Sequence, residues 1–169
     1  MLKFLTPLSL TPPLIHKRTM DNLPSTTLPK QWVEKEPSVS EQTAGVIFMA
    51  KHIDFPSSLV IRRLTKKLAK DFDIKTLPEE LVKAFEAKVV NFKPMDKGLT
   101  KIGNYKAAKV QYEQLDELGN RLYENLVISI PMQWQTFHVA YRAQKKDFKN
   151  GEKDVLKIIQ SFLKSIFLQ

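Results

Sequence analysis

The sequence predicts an α+β domain: a largely antiparallel sheet of about six strands with amphipathic helices packed on it, in the order βββ-α-βββ-α. Three observations lead there. Short apolar or alternating runs come in two groups, each closed by a segment whose apolar residues recur with helical period. The helical segments are too few to provide the crossovers of a parallel sheet. The chain has 169 residues, 43% of them hydrophobic and 27% charged, which suffices for one self-sufficient core without metal or disulfide staples.

The structural pattern opens at Leu28. Pro29-Lys30-Gln31-Trp32-Val33 is a short strand starting after a proline. Ala44 to Ile53 is an almost unbroken apolar run, short and rich in strand formers, and reads as a buried strand. Ser58 to Leu64 reads as a third, after the turn signal Asp54-Phe55-Pro56-Ser57. Thr76-Leu77-Pro78-Glu79 then has the form of a capping box, with proline tolerated in the first turn because its missing N–H would be unpaired anyway. Leu77, Leu81, Phe85, Val89 and Phe92 follow at helical spacing, and Glu79 and Lys83 form an i,i+4 pair. This predicts a helix over Leu77 to Asn91, stopped by Pro94.

An antiparallel meander follows. Ala108, Val110 and Tyr112 alternate with Lys109, Gln111 and Glu113, as on a half-buried strand. Gly119-Asn120 supplies a turn, after which Leu122, Leu126, Ile128 and Ile130 share a face. Phe137, Val139 and Tyr141 share a face of the next strand, opposite Thr136, His138 and Arg142. Asn150-Gly151 reads as a chain break before a last amphipathic helix. Its stripe is Val155, Ile158, Ile159, Phe162, Leu163 and Ile166, with Lys153, Asp154, Lys157 and Lys164 facing water.

Residues 1–27 are different in kind. The first 30 positions hold five of the ten prolines and no glycine, and no acid precedes Asp21. Proline at that density forbids a regular helix and starves a strand of donors. A disordered basic tail is expected over 1–27, with a weak secretory or organelle-targeting segment as the alternative, ahead of a single domain over 28–169. No Ala-x-Ala cleavage site follows the apolar stretch Leu8 to Ile15, so a cytoplasmic location is expected over export.

The chain has no cysteine, which excludes disulfides, cysteine–zinc sites, iron–sulfur clusters and thiol catalysis. No run approaches the roughly 18 apolar residues of a membrane helix. The net charge is +9 and the isoelectric point about 9.6, which suits an acidic protein, nucleic acid or anionic lipid. The densest basic patch is Arg62, Arg63, Lys66, Lys67 and Lys70.

Catalytic constellations are hard to find. The three histidines are His16, His52 and His138, and none has a metal-ligand partner at usable spacing within one element. His16 sits in the tail, His52 reads as a rim residue at a strand end, and His138 lies on the polar face of its strand. No glycine pattern cradles phosphate and no serine stands in a nucleophile elbow. The adjacent acids Glu79 with Glu80, and Asp116 with Glu117, read as solvated surface. No cofactor and no catalytic residue is expected, and a cryptic hydrolase built around His138 is the least favoured reading. Most aromatics fall on core positions, and Tyr123 and Trp134 are expected to be exposed near Arg121 and Arg142.

Taken in order, several short motifs resemble the PsbP-like superfamily, which includes the DcrB-like proteins. Leu28-Pro29-Lys30-Gln31-Trp32 resembles its opening strand. Ile102-Gly103-Asn104-Tyr105-Lys106-Ala107-Ala108 resembles the "Gly-x-x-Ala" start of its central strands, and Arg121 to Pro131 with Phe137 to Tyr141 resemble the long strands beside them. Val155 to Phe162 resembles its closing helix. The likeness spans Leu28 to Leu163. It departs from the pattern at Lys66 to Lys75, which is longer and more basic, and in lacking the cysteine that DcrB-type lipoproteins use as an anchor.

The resemblance implies an α/β/α sandwich used for binding. Relatives with that fold include an extrinsic photosystem II subunit, a Ran-binding nuclear-import factor and chaperones of type VI secretion effectors. No catalytic residues carry over. The expectation is a non-enzymatic protein-binding or assembly factor that docks a protein partner on its sheet or sheet rim. Candidate contacts are Trp134, His138 and Arg142, with Arg62, Arg63, Lys66 and Lys67 as a steering patch. Binding of nucleic acid or anionic membrane through the basic patch is the alternative.

Overall fold

The structure, a computed structural model, describes residues 26–167. The tail expected over 1–27 therefore lies almost wholly outside the described residues. In chain order the elements are β1 (Trp32–Glu34), α1 (Val39–Thr43), β2 (Val46–His52), β3 (Ser57–Leu64), α2 (Leu77–Glu86), β4 (Lys93–Ile102), β5 (Tyr105–Leu115), β6 (Leu122–Met132), β7 (Gln135–Gln144) and α3 (Lys145–Phe167). The strands form one seven-stranded sheet in the order β1-β2-β3-β7-β6-β5-β4. Every neighbouring pair is antiparallel. The α+β class and the antiparallel sheet expected from the sequence are what the chain adopts, with seven strands rather than six.

The additional strand is β4. Of its ten residues only Ile102 is buried, because β4 pairs with β5 alone and forms the sheet edge. An edge strand wetted along most of its length needs no apolar alternation, so the sequence pattern is silent there. Pro94 is tolerated at such an edge, since a missing donor costs least where no neighbouring strand would use it. Lys93, Lys97 and Lys101, spaced along the strand, are the usual protection against edge-to-edge association.

Alternation sorts the remaining strands cleanly. Leu59 and Ile61, Phe137, Val139 and Tyr141, and Leu126, Ile128 and Ile130 point to one face. There they meet Phe148, Val155, Ile158, Ile159, Phe162 and Leu163 of α3. On the other face Val110, Tyr112 and Val127 pack with Val82, Leu81, Phe85, Val89 and Phe92 from α2 and the turn after it. Helices thus cover both faces, as the sandwich requires. Trp32 opens the sheet and is 4% exposed. Its ring lies edge-on to His52, with centroids 5.4 Å apart, and its indole N–H donates to Asp154 at 3.3 Å. Asp154 therefore carries a contact to the core, and the prediction that it simply faces water is corrected.

Four further local expectations are overturned. The capping box at Thr76 and Glu79 does not form. The chain already turns at Asp73, so Thr76 is helical, and its hydroxyl donates to the Asp73 carbonyl at 3.0 Å and to Glu80 at 2.7 Å. Glu79 pairs with Lys97 of β4 at 2.6 Å rather than with Lys83, which ties α2 to the edge strand. A complete capping box occurs instead at Ser38 and Glu41, on the five-residue helix α1, which buries nothing. The helix expected to run to Asn91 ends at Glu86. Asn91 takes a left-handed φ of 56°, which stops regular winding before β4.

The fourth correction concerns Gly151. It lies inside α3, which begins at Lys145, so Asn150-Gly151 does not break the chain. Its role is steric. The Tyr141 hydroxyl donates to the Phe148 carbonyl at 3.1 Å, and the ring crosses the helix where Gly151 leaves room. A β-carbon at Gly151 would collide with that hydroxyl and lie 3.0 Å from the ring carbon bearing it. Replacing glycine by alanine inside a helix ordinarily stabilises by about 1 kcal/mol. Here Gly151→Ala is expected to destabilise by about 2 kcal/mol in urea unfolding, as an overpacked core does. Tyr141→Phe removes the clashing oxygen, so the double variant should be more stable than the sum of the single effects predicts.

Candidate functional site

The seven sequence-selected residues divide into three groups. Arg62, His138, Lys66, Lys67 and Trp134 belong to the α2 side of the sheet or to its rim. Arg62 is the cross-strand partner of His138, and both are on the face opposite Ile61 and Val139. Trp134 occupies the β6–β7 turn and is 59% exposed. The Lys67 ammonium stands 4.6 Å from its ring centroid, and the Leu68 N–H donates to the Gln133 carbonyl at 3.0 Å. The long basic segment after β3 is therefore fastened to the turn that carries the exposed tryptophan. Lys66 lies in the same segment and is exposed.

Arg63 does not join this group. Strand alternation turns it to the α3 side, away from Arg62, and it pairs in register with Phe137 of the other face. The expected four-residue steering patch is thus split by the pleat of β3. Arg142 is separated in a different way. It shares the face of His138, but four residues further along β7 it stacks on Tyr123, its guanidinium centre 4.0 Å from the ring centroid. Tyr123 is consequently half-buried rather than exposed.

The sheet face between these residues is only partly covered, with Met49 buried at one end of it. A cross-strand row runs from Met49 through Val60, Ala140 and Val127 to Val110. Helix α2 covers Val127 and Val110, which are buried. Val60 is half-buried and Ala140 is exposed, although β7 is the central strand of the sheet. The open strip is bordered by Arg62, Lys51 and His138 on the same face, with Lys67 and Trp134 at the end of β7.

His138 is held neutral by its surroundings. Burial, and then the nearby positive charge of Arg62, push its pKa below the ordinary histidine value. His52 is packed as a core-rim residue. It stacks on Phe55 with centroids 4.0 Å apart, and its Nδ1 accepts the Asp54 N–H at 3.2 Å.

Paired carboxylates, which the sequence reading sought elsewhere, occur at Glu113 and Glu124. These are cross-strand neighbours on the α3 side, and both are buried. Alternation with Gln111, Leu115 and Leu126 would have placed them together. Each is already engaged. Lys145 and then Lys93 bond to Glu113 and hold its carboxyl below the usual carboxylate range despite burial, and the Gln111 amide donates to Glu124. Glu113 so anchors the first residue of α3 to the sheet. Among the described residues no group of three or more His, Asp and Glu converges as a metal site, and no helix is long and apolar enough to cross a membrane.

Comparison with known proteins rests on structure. No protein-family model matches the sequence, and no curated protein matches it in sequence. Solved structures do. LpqN of Mycobacterium tuberculosis, involved in cell envelope biogenesis, superposes with a TM-score of 0.57 at 12% identity, over 78% of each chain. Cyanobacterial PsbP from Synechocystis gives 0.54 at 9% identity, over 80% of this chain and 83% of that one. PA94 of Pseudomonas aeruginosa, a protein of unknown function, gives 0.52 at 13%, over 83% and 85%. The fold is that of the PsbP-like proteins, as the sequence motifs implied.

The depressed pKa of His138 has a direct consequence. In the unfolded chain histidine titrates near 6.5, and in the fold His138 titrates below that. Its contribution to stability is therefore complete above about pH 6.5 and is lost as the pH falls through its folded pKa. Nuclear magnetic resonance titration should place the His138 transition below that of a free histidine. Arg62→Gln should move it upward, and an unchanged midpoint in that variant would refute the assigned cause.

Proposed function

We propose that the protein is a non-enzymatic accessory or assembly factor that docks a protein partner on the open strip of its sheet around Val60 and Ala140. The observation that carries this reading is the exposure of Ala140 on the central strand. A sheet face is stable in water only when its apolar row is covered or broken by polar residues, and here half-buried Val60 and exposed Ala140 continue the apolar row that α2 covers. The exposed strip is narrow, so the protein remains soluble without the partner while keeping a surface for it.

The rim supplies the selectivity. Lys51, Arg62 and Lys67 place positive charge beside the strip, which favours a partner surface carrying acids and speeds encounter. Trp134 offers the large amphipathic side chain typical of energetically dominant contact positions. LpqN is described as involved in cell envelope biogenesis, and a supporting role of that general kind suits a fold that presents a surface rather than a catalytic cleft. The alternative, nucleic acid or anionic lipid held by a basic patch, gains nothing from a patch divided between two faces.

The reading is tested by isolating the intact chain from its native extract with whatever protein accompanies it in fixed proportion. Trp134→Ala should weaken capture by about 2 kcal/mol, roughly thirtyfold, if the tryptophan is an anchor. Val60→Glu should weaken it comparably, and Lys153→Glu on α3 should leave it unchanged. Circular dichroism verifies that each variant is folded. Capture indifferent to both Trp134 and Val60, or binding that vanishes on nuclease treatment and falls steeply with salt, would overturn it.

A further inference from the structure

The outer side of α3 carries a row of charge. The apolar stripe of this helix, from Phe148 through Val155, Ile158 and Ile159 to Phe162 and Leu163, is buried against the sheet. At about 100° per residue, the positions opposite that stripe are Lys146, Lys149, Lys153, Lys157, Gln160 and Lys164. All are exposed. They fall within an arc of about 80° and run roughly 27 Å along the helix axis. The acids of the helix, Asp147, Glu152 and Asp154, are half-buried on its flanks. The outermost line of the α3 layer therefore carries five lysines and no acid, in a chain whose net charge is +9.

The fold itself does not call for this row. Lys93, Lys97, Lys109 and Lys145 each meet a carboxylate. Among the described residues the row has one ion pair, the 3.8 Å contact of Lys157 with Asp154. Lysines four positions apart, as Lys149, Lys153 and Lys157 are, repel one another and weaken a helix. Glutamates interspersed with them would keep the face equally soluble and make the helix more stable. An anionic surface laid along the row removes the repulsion. The row also distinguishes between anionic surfaces. Nucleic acid is held by arginine forks on phosphate, by aromatic platforms and by a groove that tracks the backbone. This row has no arginine, stands on a convex crest and ends near Phe167, whose ring is already stacked on Tyr105 with centroids 5.1 Å apart. Lysine is a point charge on a flexible stem, and a straight line of lysines on a crest meets a plane. Because the core occupies the apolar stripe, α3 has no face to insert, and its attraction to a plane of headgroups is electrostatic.

We propose that the lysine row of α3 is a docking surface for the anionic headgroups of a lipid bilayer, on which the protein lies with α3 flat and the open strip around Ala140 turned away. This surface is distinct from the residues around Arg62. It lies on the opposite side of the sheet from the strip, so membrane docking and partner docking can fail independently.

Co-sedimentation of the full-length chain with vesicles provides the test, using phosphatidylcholine alone and phosphatidylcholine mixed with phosphatidylserine. Binding is expected only where phosphatidylserine is present, and it should fall steeply as salt is raised. Each lysine beside an anionic bilayer strengthens binding about fivefold. The triple variant Lys146→Gln, Lys149→Gln, Lys153→Gln should therefore bind about a hundredfold more weakly. The triple variant Lys83→Gln, Lys88→Gln, Lys101→Gln removes the same charge from exposed positions off α3 and should lose about fivefold at most. Urea unfolding verifies that both are folded, and the first should be at least as stable as the unaltered chain because it relieves repulsion along the helix. The proposal is overturned if neither kind of vesicle is bound, if phosphatidylcholine alone binds equally well, if the two variants lose affinity equally, if the first binds as well as the unaltered chain, or if a DNA duplex displaces the chain from the vesicles at equal phosphate concentration.

Discussion

The arrangement of this molecule depends on the contact of one tyrosine with one helix. Tyr141, on the central strand, donates its hydroxyl to the Phe148 carbonyl and lies in the space that Gly151 leaves on α3. That contact sets how the helix crosses the sheet. With the helix so placed, Val155, Ile158, Ile159, Phe162 and Leu163 fall over the apolar rows of β3, β7 and β6. The ion pair of Lys145 with Glu113 fixes the near end of the same helix. A buried hydroxyl without its carbonyl would be left unsatisfied in an apolar core, so the geometry is specific as well as stabilising. Burial raises the Tyr141 pKa, which keeps the hydroxyl a neutral donor.

One face of the sheet is closed by a helix of 23 residues, the other by a helix of ten. This inequality is the origin of the open strip. At 1.5 Å per residue α2 is about 15 Å long, whereas seven strands about 4.8 Å apart span about 29 Å. A single short helix packed on β4, β5 and β6 cannot also reach β7, β3 and β2. The exposure of Ala140 thus follows from the position of α2, which packs on β4, β5 and Val127 of β6.

Sequence made legible those elements whose periodicity is enforced by burial. β5, β6 and β7 alternate because each has at least one packed face, and α3 carries a complete stripe because it faces the main core. β4 and α1 escaped because almost nothing in them is buried, and apolar pattern records burial rather than hydrogen bonding. Gly151 was misread for a related reason. A glycine in a helix looks like a break unless the residue that needs its space, ten positions earlier on β7, is known. Arg62 and Arg63 show the opposite case. The two-residue period of a strand already required neighbouring side chains to diverge, and treating the pair as one patch ignored it.

Arg142 and Asn125 mark the boundary of what one-dimensional pattern can reveal. Each was visible as a polar residue on the outward phase of its strand, where solvation needs no explanation. Only pairing in register puts them side by side, with Asn125 buried and Arg142 half-buried against the ring of Tyr123. The polar phase of an antiparallel strand is therefore not equivalent to its wet phase. Where a second layer covers part of that face, the polar residues beneath it become either structural bonds or unsatisfied donors. Glu113, with its two lysines, is the first kind. Arg142 Nε and Asn125 Nδ2, buried and without a hydrogen-bond partner among the described residues, are the second.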